Sequence, residues 1–311
     1  MYKDSFASGE LAADGPAMKT HATDGLRNRR LAALFSALVS LALLVVVAVQ
    51  MRGIDLRQLV GLIPTAPLFW AVFALWYLAG PASEWLIYRR LWQIPASGMG
   101  ALMRKMVSNE LLLGYLGEAQ FYAWVRSRRQ LAAAPFGAIK DVTILSALTG
   151  NIVTLVMLAV AWPLVFSGRI GLAMQSTFVS LGVVLVSSFA ILLFRQKLFT
   201  LPPRELRFIA LLHLARVAAK TGLGALLWHL VLPQVSVGLW LVLSTLRLLV
   251  SRLPLVPNKD VVFAGIAVVL LGHHVEVAAL LAMMGGLVLA THLVVGASFG
   301  TVDLVESWRR R

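Results

Sequence analysis

Long apolar segments recur along the chain, and short basic segments separate them. Each apolar segment is close to the ~20 residues that an α-helix needs to cross a bilayer. This alternation predicts an all-α, polytopic integral membrane protein. We expect about six full transmembrane helices, at residues 31–48, 67–88, 142–166, 172–194, 208–232 and 277–299.

Two other apolar segments do not fit as simple crossings. Residues 107–125 carry a polar load that a lipid-facing helix would not tolerate. That load consists of Asn109, Glu110, Gly114, Gly117, Glu118 and Gln120. Residues 237–250 and 261–271 are each too short to cross, and they flank a Pro-containing turn. We interpret both regions as re-entrant or broken-helix hairpins; for the second, two short crossings remain an alternative.

The basic residues predict the orientation of these helices. If residues 107–125 enter and leave on the cytoplasmic side, the basic clusters at 126–129, 195–207 and 309–311 all lie inside, as the positive-inside rule requires. The two hairpins then enter from opposite faces, which is typical of inverted-repeat transporters. We therefore expect both termini to be cytoplasmic in a multi-pass protein of the cell inner (plasma) membrane.

The chain divides into two parts. Residues 1–26 are polar and lack apolar periodicity, which predicts a disordered cytoplasmic tail. Residues 27–311 are expected to form a single transmembrane domain. Its first segment, residues 31–48, is interpreted as a retained helix, because it is long for the core of a cleaved signal peptide.

The amino-acid composition supports membrane insertion and argues against several other classes of protein. Hydrophobic residues make up 59% of the chain and charged residues only 14%, against roughly 25% charged residues in soluble domains. The formal net charge of +14 arises at the ends of the predicted helices, so anionic membrane lipids are the expected partners and nucleic acid is not. The chain has no cysteine, which excludes disulfides and thiolate metal sites.

Signatures of cofactors, metals and catalysis are weak. His273, His274 and Glu276 are the best metal candidates, but adjacent histidines point in different directions on a helix. No Ser-His-Asp arrangement or phosphate-binding glycine loop is present in the sequence. We therefore expect no metal and no cofactor, and a transport or lipid-binding role rather than an enzyme.

The first hairpin contains two glycines beside an ionisable residue. Gly114 and Gly117 allow a tight turn and close backbone approach, while Glu118 places a carboxyl group where burial is costly. We interpret these three residues as part of a substrate-binding site. The alternative is an interfacial helix in which Glu118 is solvated.

At this turn the sequence resembles the lysylphosphatidylglycerol synthase transmembrane region, a flippase-like family with a Pro-Gly-x-x-Gly-Glu turn in its first half. Gly114, Gly117 and Glu118 match that turn, apart from its proline. A second family feature, Leu-Pro-x-x-Pro-Gly-Gly, is matched at residues 253–257 but not beyond. The resemblance covers about residues 31–299 and implies a flippase-like membrane fold. Lysyl transfer is not expected, because the sequence contains no aminoacyl-transferase domain.

The predicted span at residues 208–232 carries a cationic stripe. At 100° per residue, His213, Arg216 and Lys220 lie within an arc of about 60°. Cations at this depth cost a few kcal/mol each, so we expect them to face a polar cavity, an acidic partner or a lipid phosphate. The alternative is a helix that lies along the cytoplasmic interface as far as Lys220. The candidate acidic partners are Glu84, Glu110 and Glu118.

The second hairpin completes the set of candidate substrate-binding residues with Arg247, Arg252, Lys259 and Asp260. Arg247 and Arg252 precede the Pro-containing turn. They either extend the cationic lining or snorkel to the cytoplasmic surface.

These residues favour a flippase-like protein that binds or translocates an anionic lipid, either a phospholipid or a polyprenyl-phosphate-linked lipid, in envelope lipid or glycan metabolism. The basic residues would hold the phosphate. One alternative is an intramembrane transferase acting on a lipid-linked substrate, with Glu118 or Asp260 as general base. Another is a non-catalytic membrane partner of an envelope-biosynthesis enzyme, in which the buried charges pair only with one another.

Overall fold

The computed structural model describes residues 64–111, 116–127, 135–166, 199–253, 258–271 and 275–309. Within these ranges every regular element is an α-helix, so the all-α prediction is confirmed there. In chain order the helices are α1 (Pro67–Trp92), α2 (Gly98–Leu111), α3 (Leu116–Ser127), α4 (Pro135–Phe166), α5 (Pro203–Val231), α6 (Val237–Ser251), α7 (Lys259–Leu270) and α8 (Val275–Arg309).

Three helices are long and apolar enough to cross a membrane. The qualifying stretches are Pro135–Pro163 in α4, Pro203–Val231 in α5 and Val275–Phe299 in α8. They contain most of the predicted spans at 142–166, 208–232 and 277–299. Helix α4 begins seven residues before its predicted span and α5 begins five before, because hydropathy alone excluded polar first turns that are nevertheless helical.

Only some of the other predicted elements lie within the described residues. Helix α1 covers the residues of the predicted span at 67–88 and continues to Trp92, but it is not among the three helices apolar enough to cross a membrane. Each predicted hairpin contains two short helices, α2 with α3 and α6 with α7. The predicted tail at 1–26 and the predicted spans at 31–48 and 172–194 lie outside the described residues.

Prolines mark the beginnings of the two helices that carry much of the candidate site. Pro67 and Pro203 each occupy the first turn, where a missing N–H is tolerated because no intrahelical bond would use it. At its other end α1 stops at Gln93, which has φ 52° and donates its backbone N–H to the Arg89 carbonyl. This left-handed backbone conformation ends the helix and turns the chain towards α2.

Two apolar cores lie at opposite ends of the antiparallel helices α1 and α5. The first, which we call the Trp228 core, joins the first half of α1 and the second half of α5 to α6, α7 and α8. The second, the Tyr88 core, joins the end of α1 and the start of α5 to α2, α3 and α4. Aromatic pairs contribute to both: the Trp228 ring is stacked 5.8 Å from Phe263, and the Tyr88 ring is tilted against Phe121 at 4.7 Å between centroids.

Helix α4 has an apolar outer face and buries several polar side chains among apolar ones. Ile152, Val156 and Val160 recur every four residues and are about half exposed, whereas Asp141 and Thr154 are fully buried. An exposed face made of such residues is unlike that of a helix at the surface of a water-soluble protein, where polar residues face outward. It suits a helix whose outer face contacts lipid.

Asp141 fixes the chain before α5 against α4. One carboxylate oxygen accepts hydrogen bonds from the Thr200 backbone N–H at 2.7 Å, the Thr200 hydroxyl at 2.9 Å and the Leu201 N–H at 2.8 Å. The other oxygen lies 3.4 Å from the Lys140 ammonium. A fully buried carboxylate is tolerated here because its charge is shared among these donors.

The polar residues of the first hairpin pair with one another across it. Asn109 on α2 accepts the Gly117 N–H at 2.8 Å and donates to Glu118 at 3.0 Å, and Ser108 donates to Gln120 at 2.6 Å. Pairing between the two arms satisfies polar groups that would otherwise be costly if this segment entered an apolar environment.

Gly117 permits the close approach of α3 to α2. A Cβ at this position would collide with the Lys105 carbonyl and lie 2.8 Å from the Asn109 amide oxygen. The glycine is therefore required for packing rather than for an unusual backbone angle.

Gly117→Ala should destabilise the protein by about 1–3 kcal/mol, because the added methyl group has no space between the two helices. Gly222→Ala on α5 is the matched control, since nothing lies within 4 Å of a Cβ there and alanine is the better helix former. Unfolding midpoints in detergent compare the two variants. Equal midpoints would contradict the tight packing of α3 on α2.

Candidate functional site

A polar cavity of about 280 Å³ lies between the Trp228 core and the Tyr88 core. We call it the central cavity. Helices α1, α2, α5, α6 and α7 line it with Gly80, Pro81, Glu84, Leu102, Lys105, Met106, Asn109, Glu110, Arg216, Val217, Lys220, Thr221, Arg247, Leu248, Ser251, Arg252, Lys259 and Asp260. Both arms of the second hairpin and the first arm of the first hairpin therefore contribute to it.

The cavity lies near the middle of its two long helices. Helix α5 has 29 residues, about 44 Å at 1.5 Å per residue, and Arg216 and Lys220 lie near its midpoint. On α1, Gly80 and Glu84 separate the residues of the Trp228 core from those of the Tyr88 core. If these helices cross a bilayer, the charged side chains lie at its depth rather than at its surface.

Positive charge predominates in the cavity. Its six basic residues are Lys105, Arg216, Lys220, Arg247, Arg252 and Lys259. Its three acidic residues are Glu84, Glu110 and Asp260. With every group ionised, the lining has three positive charges in excess. An anion is the ligand that such a lining stabilises.

Glu84 connects three helices through ion pairs. One of its oxygens lies 2.8 Å from the Lys105 ammonium on α2, and the other lies 3.8 Å from the Arg216 guanidinium on α5. Lys105 also lies 3.4 Å from Glu118, and Arg216 donates to the Ser146 hydroxyl on α4 at 2.7 Å. The result is a buried charge network that holds one side of the cavity in place.

Trp76 separates two cations on the other side. The Lys220 ammonium lies 4.5 Å from the centroid of the indole ring and the Arg247 guanidinium 4.8 Å, distances suited to cation–π attraction. The indole N–H donates to the Lys220 carbonyl at 3.1 Å. Arg247 also directs two nitrogens at one Asp260 oxygen, at 2.7 and 2.8 Å.

The two hairpins meet at one wall of the cavity. The Glu110 carbonyl at the end of α2 accepts the Asn258 N–H at 2.9 Å, and the Lys259 N–H donates to the Glu110 carboxylate. A carboxylate at the first turn of α7 is favourable, because the N–H groups there have no intrahelical partner. The Lys259 ammonium donates to the Ser251 carbonyl at 2.8 Å.

Arg252 lies where α6 meets α4. Its guanidinium donates twice to the Ser251 hydroxyl, at 3.0 and 2.8 Å, and it lies against Gly150 so closely that a Cβ there would overlap it. Gly150 thus gives this cation its space beside the cavity.

A narrow apolar pocket of about 20 Å³ adjoins the central cavity. The two share Arg247 and Asp260, so this ion pair lies at their boundary. The apolar pocket is surrounded by Trp76, Gly224, Leu227, Trp228, Phe263, Leu281, Met284, Gly285 and Val288.

The structure brings six of the ten candidate residues together in the lining, namely Arg216, Lys220, Arg247, Arg252, Lys259 and Asp260. Glu118 lies behind Lys105, and Gly117 lies at the contact between α2 and α3. His213 lies outside the lining, fully buried, with its Nε2 3.2 Å from the Val142 carbonyl on α4. Lys220 lies about 10 Å farther along the α5 axis than His213, so a shared helical face does not place both side chains in the same cavity. Gly114 lies outside the described residues.

Several residues of the site were not expected from the sequence. Lys105 was not among the candidate residues, yet it is only 4% exposed and lies between Glu84 and Glu118. A polar stripe on α2, in which Lys105 precedes Asn109 by one helical turn, was the available signal. Trp76 and Ser146 gave no such signal, because their roles arise from contacts with distant helices.

Glu84→Gln should destabilise the protein by about 3 kcal/mol, because it removes the carboxylate shared by the buried cations Lys105 and Arg216. Glu205→Gln is the matched control. It breaks the ion pair with Arg90, which is 2.8 Å long but solvent-accessible, so the change should be small. Unfolding in detergent is the measurement; equal losses in both variants would contradict the structural role of the buried network.

No family model, curated protein or solved structure matches this chain. The charged cavity between the two apolar cores is therefore the observation from which a function is argued.

Proposed function

We propose that this chain is an integral protein of the cell inner membrane that binds or translocates an anionic lipid, either a phospholipid or a polyprenyl-phosphate-linked lipid, in envelope lipid or glycan metabolism. The observation that carries the proposal is the excess of three positive charges in the central cavity. Cations at membrane depth are costly unless an opposite charge compensates them. A lipid phosphate supplies that charge.

The basic residues of the cavity outnumber their carboxylate partners. This supports a ligand-binding role over a purely structural role for the buried charges. Asp260 is paired with Arg247, and Glu84 with Lys105 and Arg216. Among the described residues, Lys220 and Lys259 form no ion pair with a carboxylate. In a membrane partner protein whose buried charges only stabilised its own fold, we would expect basic and acidic residues in more nearly equal numbers.

The same pairing favours binding or transport over catalysis. A general base must be free to accept a proton from its substrate. Glu118 accepts a hydrogen bond from Asn109 and lies beside Lys105, while Asp260 accepts two hydrogen bonds from Arg247. Neither candidate base of the transferase alternative has this freedom in the observed arrangement.

For topology, we propose six full crossings and two hairpins that enter from opposite faces, in one transmembrane domain preceded by a cytoplasmic tail. The helical division of both hairpins and their meeting at Glu110 and Asn258 support it. The basic residue Arg126 at the end of α3 supports a cytoplasmic position for the return of the first hairpin.

We also propose that the resemblance to the lysylphosphatidylglycerol synthase transmembrane region reflects a shared flippase-like scaffold. Support comes from Gly117 and Glu118, which match the family turn and lie where α3 packs on α2. The divergent second turn argues for a different lipid rather than for a different architecture.

A cysteine at Ser127, at the end of α3, tests the topology. We expect Ser127→Cys to resist a membrane-impermeant maleimide in intact spheroplasts and to react after lysis, because the basic residues that follow should lie inside. The native chain has no cysteine, so labelling reports this one position. Labelling in intact spheroplasts would overturn the proposed topology.

The double variant Arg216→Gln with Lys220→Gln tests lipid binding. In nanodiscs of mixed composition, the wild-type protein should retain phosphatidylglycerol in preference to phosphatidylcholine. The double variant should lose that preference by about tenfold, because both cations face the cavity. Native mass spectrometry of the bound lipids measures the ratio.

Arg90→Gln is the control for this experiment, since it removes a cation that lies outside the cavity in a pair with Glu205. It should retain the wild-type preference. An unchanged preference in the double variant, with the protein folded, would refute the proposed role of the cavity.

A further inference from the structure

We propose that the central cavity selects a phosphate group with two or more negative charges, as in a phosphate monoester or diphosphate lipid, over the single charge of a phosphodiester. This inference rests on the proposed function, because it concerns the head group of the lipid bound in the same cavity.

The charge excess is larger than one phosphodiester can compensate. The basic residues of the lining outnumber the acidic residues by three. If Glu118 is included, because it contacts Lys105 from behind the lining, the excess is two. Among the described residues, a phosphodiester would offset one of these positive charges, whereas a dianionic phosphate would offset two, and offsetting buried charge is favourable in an apolar environment.

Two lysines account for much of this excess. The Lys220 ammonium on α5 lies over the Trp76 ring, and the Lys259 ammonium on α7 donates to the Ser251 carbonyl. Neither forms an ion pair with a carboxylate within the described part of the chain. An ammonium group has three donors, so each lysine retains hydrogen-bonding capacity for phosphate oxygens.

A phosphate group with two negative charges matches the two lysines in charge. A phosphate monoester carries about −1.5 to −2 charges at pH 7 and has three terminal oxygens that accept hydrogen bonds. A diphosphate group carries at least two charges on two linked phosphorus atoms. Either group brings one more negative charge to the two lysines than a phosphodiester does, in addition to the Glu110 carboxylate that is already in the lining.

The size of the cavity also favours a compact head group. Ligand cavities usually measure about 300–1,000 Å³, and this one has a volume of about 280 Å³. The adjoining apolar pocket, at about 20 Å³, is too small for an acyl chain. The cavity therefore suits a terminal phosphate or diphosphate, with the rest of the lipid outside it.

Matched short-chain lipids test the inference. Dioctanoyl phosphatidate, phosphatidylglycerol and phosphatidylcholine share their tails and carry a monoester, a phosphodiester and a zwitterionic head group. We expect phosphatidate to bind about tenfold tighter than phosphatidylglycerol at pH 7.5, and phosphatidylglycerol tighter than phosphatidylcholine. Native mass spectrometry of the full chain in detergent measures the three dissociation constants. Farnesyl diphosphate should bind at least as tightly as phosphatidate.

The double variant Lys220→Gln with Lys259→Gln tests whether these two lysines cause the preference for phosphatidate. It should reduce the preference for phosphatidate over phosphatidylglycerol to near unity, while Arg90→Gln should leave that preference unchanged, because Arg90 lies outside the cavity. Unfolding midpoints establish that both variants are folded. If the double variant does not fold, the lipid series on the wild-type protein decides the question by itself.

The outcomes separate this inference from the proposed function. Equal binding of phosphatidate and phosphatidylglycerol, both tighter than phosphatidylcholine, would overturn the inference and leave the proposed function standing. Equal binding of all three would overturn both. Inorganic pyrophosphate that bound as tightly as farnesyl diphosphate would support the selection for charge and overturn the assignment of the ligand as a lipid.

Discussion

Compensation of buried charge by other groups is the constraint on which this structure depends, because an apolar environment supplies no water to do it. Glu84 helps to compensate two of the buried positive charges. It lies on α1 and pairs with Lys105 of α2 and Arg216 of α5, while Lys105 extends the network to Glu118 of α3. Four helices are thus held around a few charged atoms, and the position of the cavity follows from this network.

Packing of the hairpins depends on close backbone approach as well as on charge. Gly117 allows α3 to lie against the Lys105 carbonyl, and Gly150 gives space to the Arg252 guanidinium beside α4. Asn109 and Glu110 then satisfy N–H groups at the starts of α3 and α7. The wall of the cavity is therefore built from the ends of short helices, where backbone donors need partners from elsewhere in the protein.

The same arrangement connects stability with ligand binding. A lining that balanced its own charges would be simpler to bury, yet this one retains an excess of cations between two apolar cores. Arg247 is held by Asp260 as well as by the Trp76 ring, whereas Lys220 lies over that ring with no carboxylate in ion-pair contact among the described residues. For the anionic ligand that we propose, such a site is preorganised, so binding would cost little rearrangement of the protein.

The sequence by itself determined where most of the described helices lie. Apolar length and the Pro-containing turn are local properties, so they placed α1, α4, α5 and α8 and divided the second hairpin. Helical periodicity likewise placed Arg216 and Lys220 on one face of α5. Only the tertiary structure decided that Lys105 belongs to the cavity and that His213 contacts the Val142 carbonyl instead. The reason is physical: periodicity is a property of one helix, whereas the partner of a buried charge is chosen by how distant helices pack.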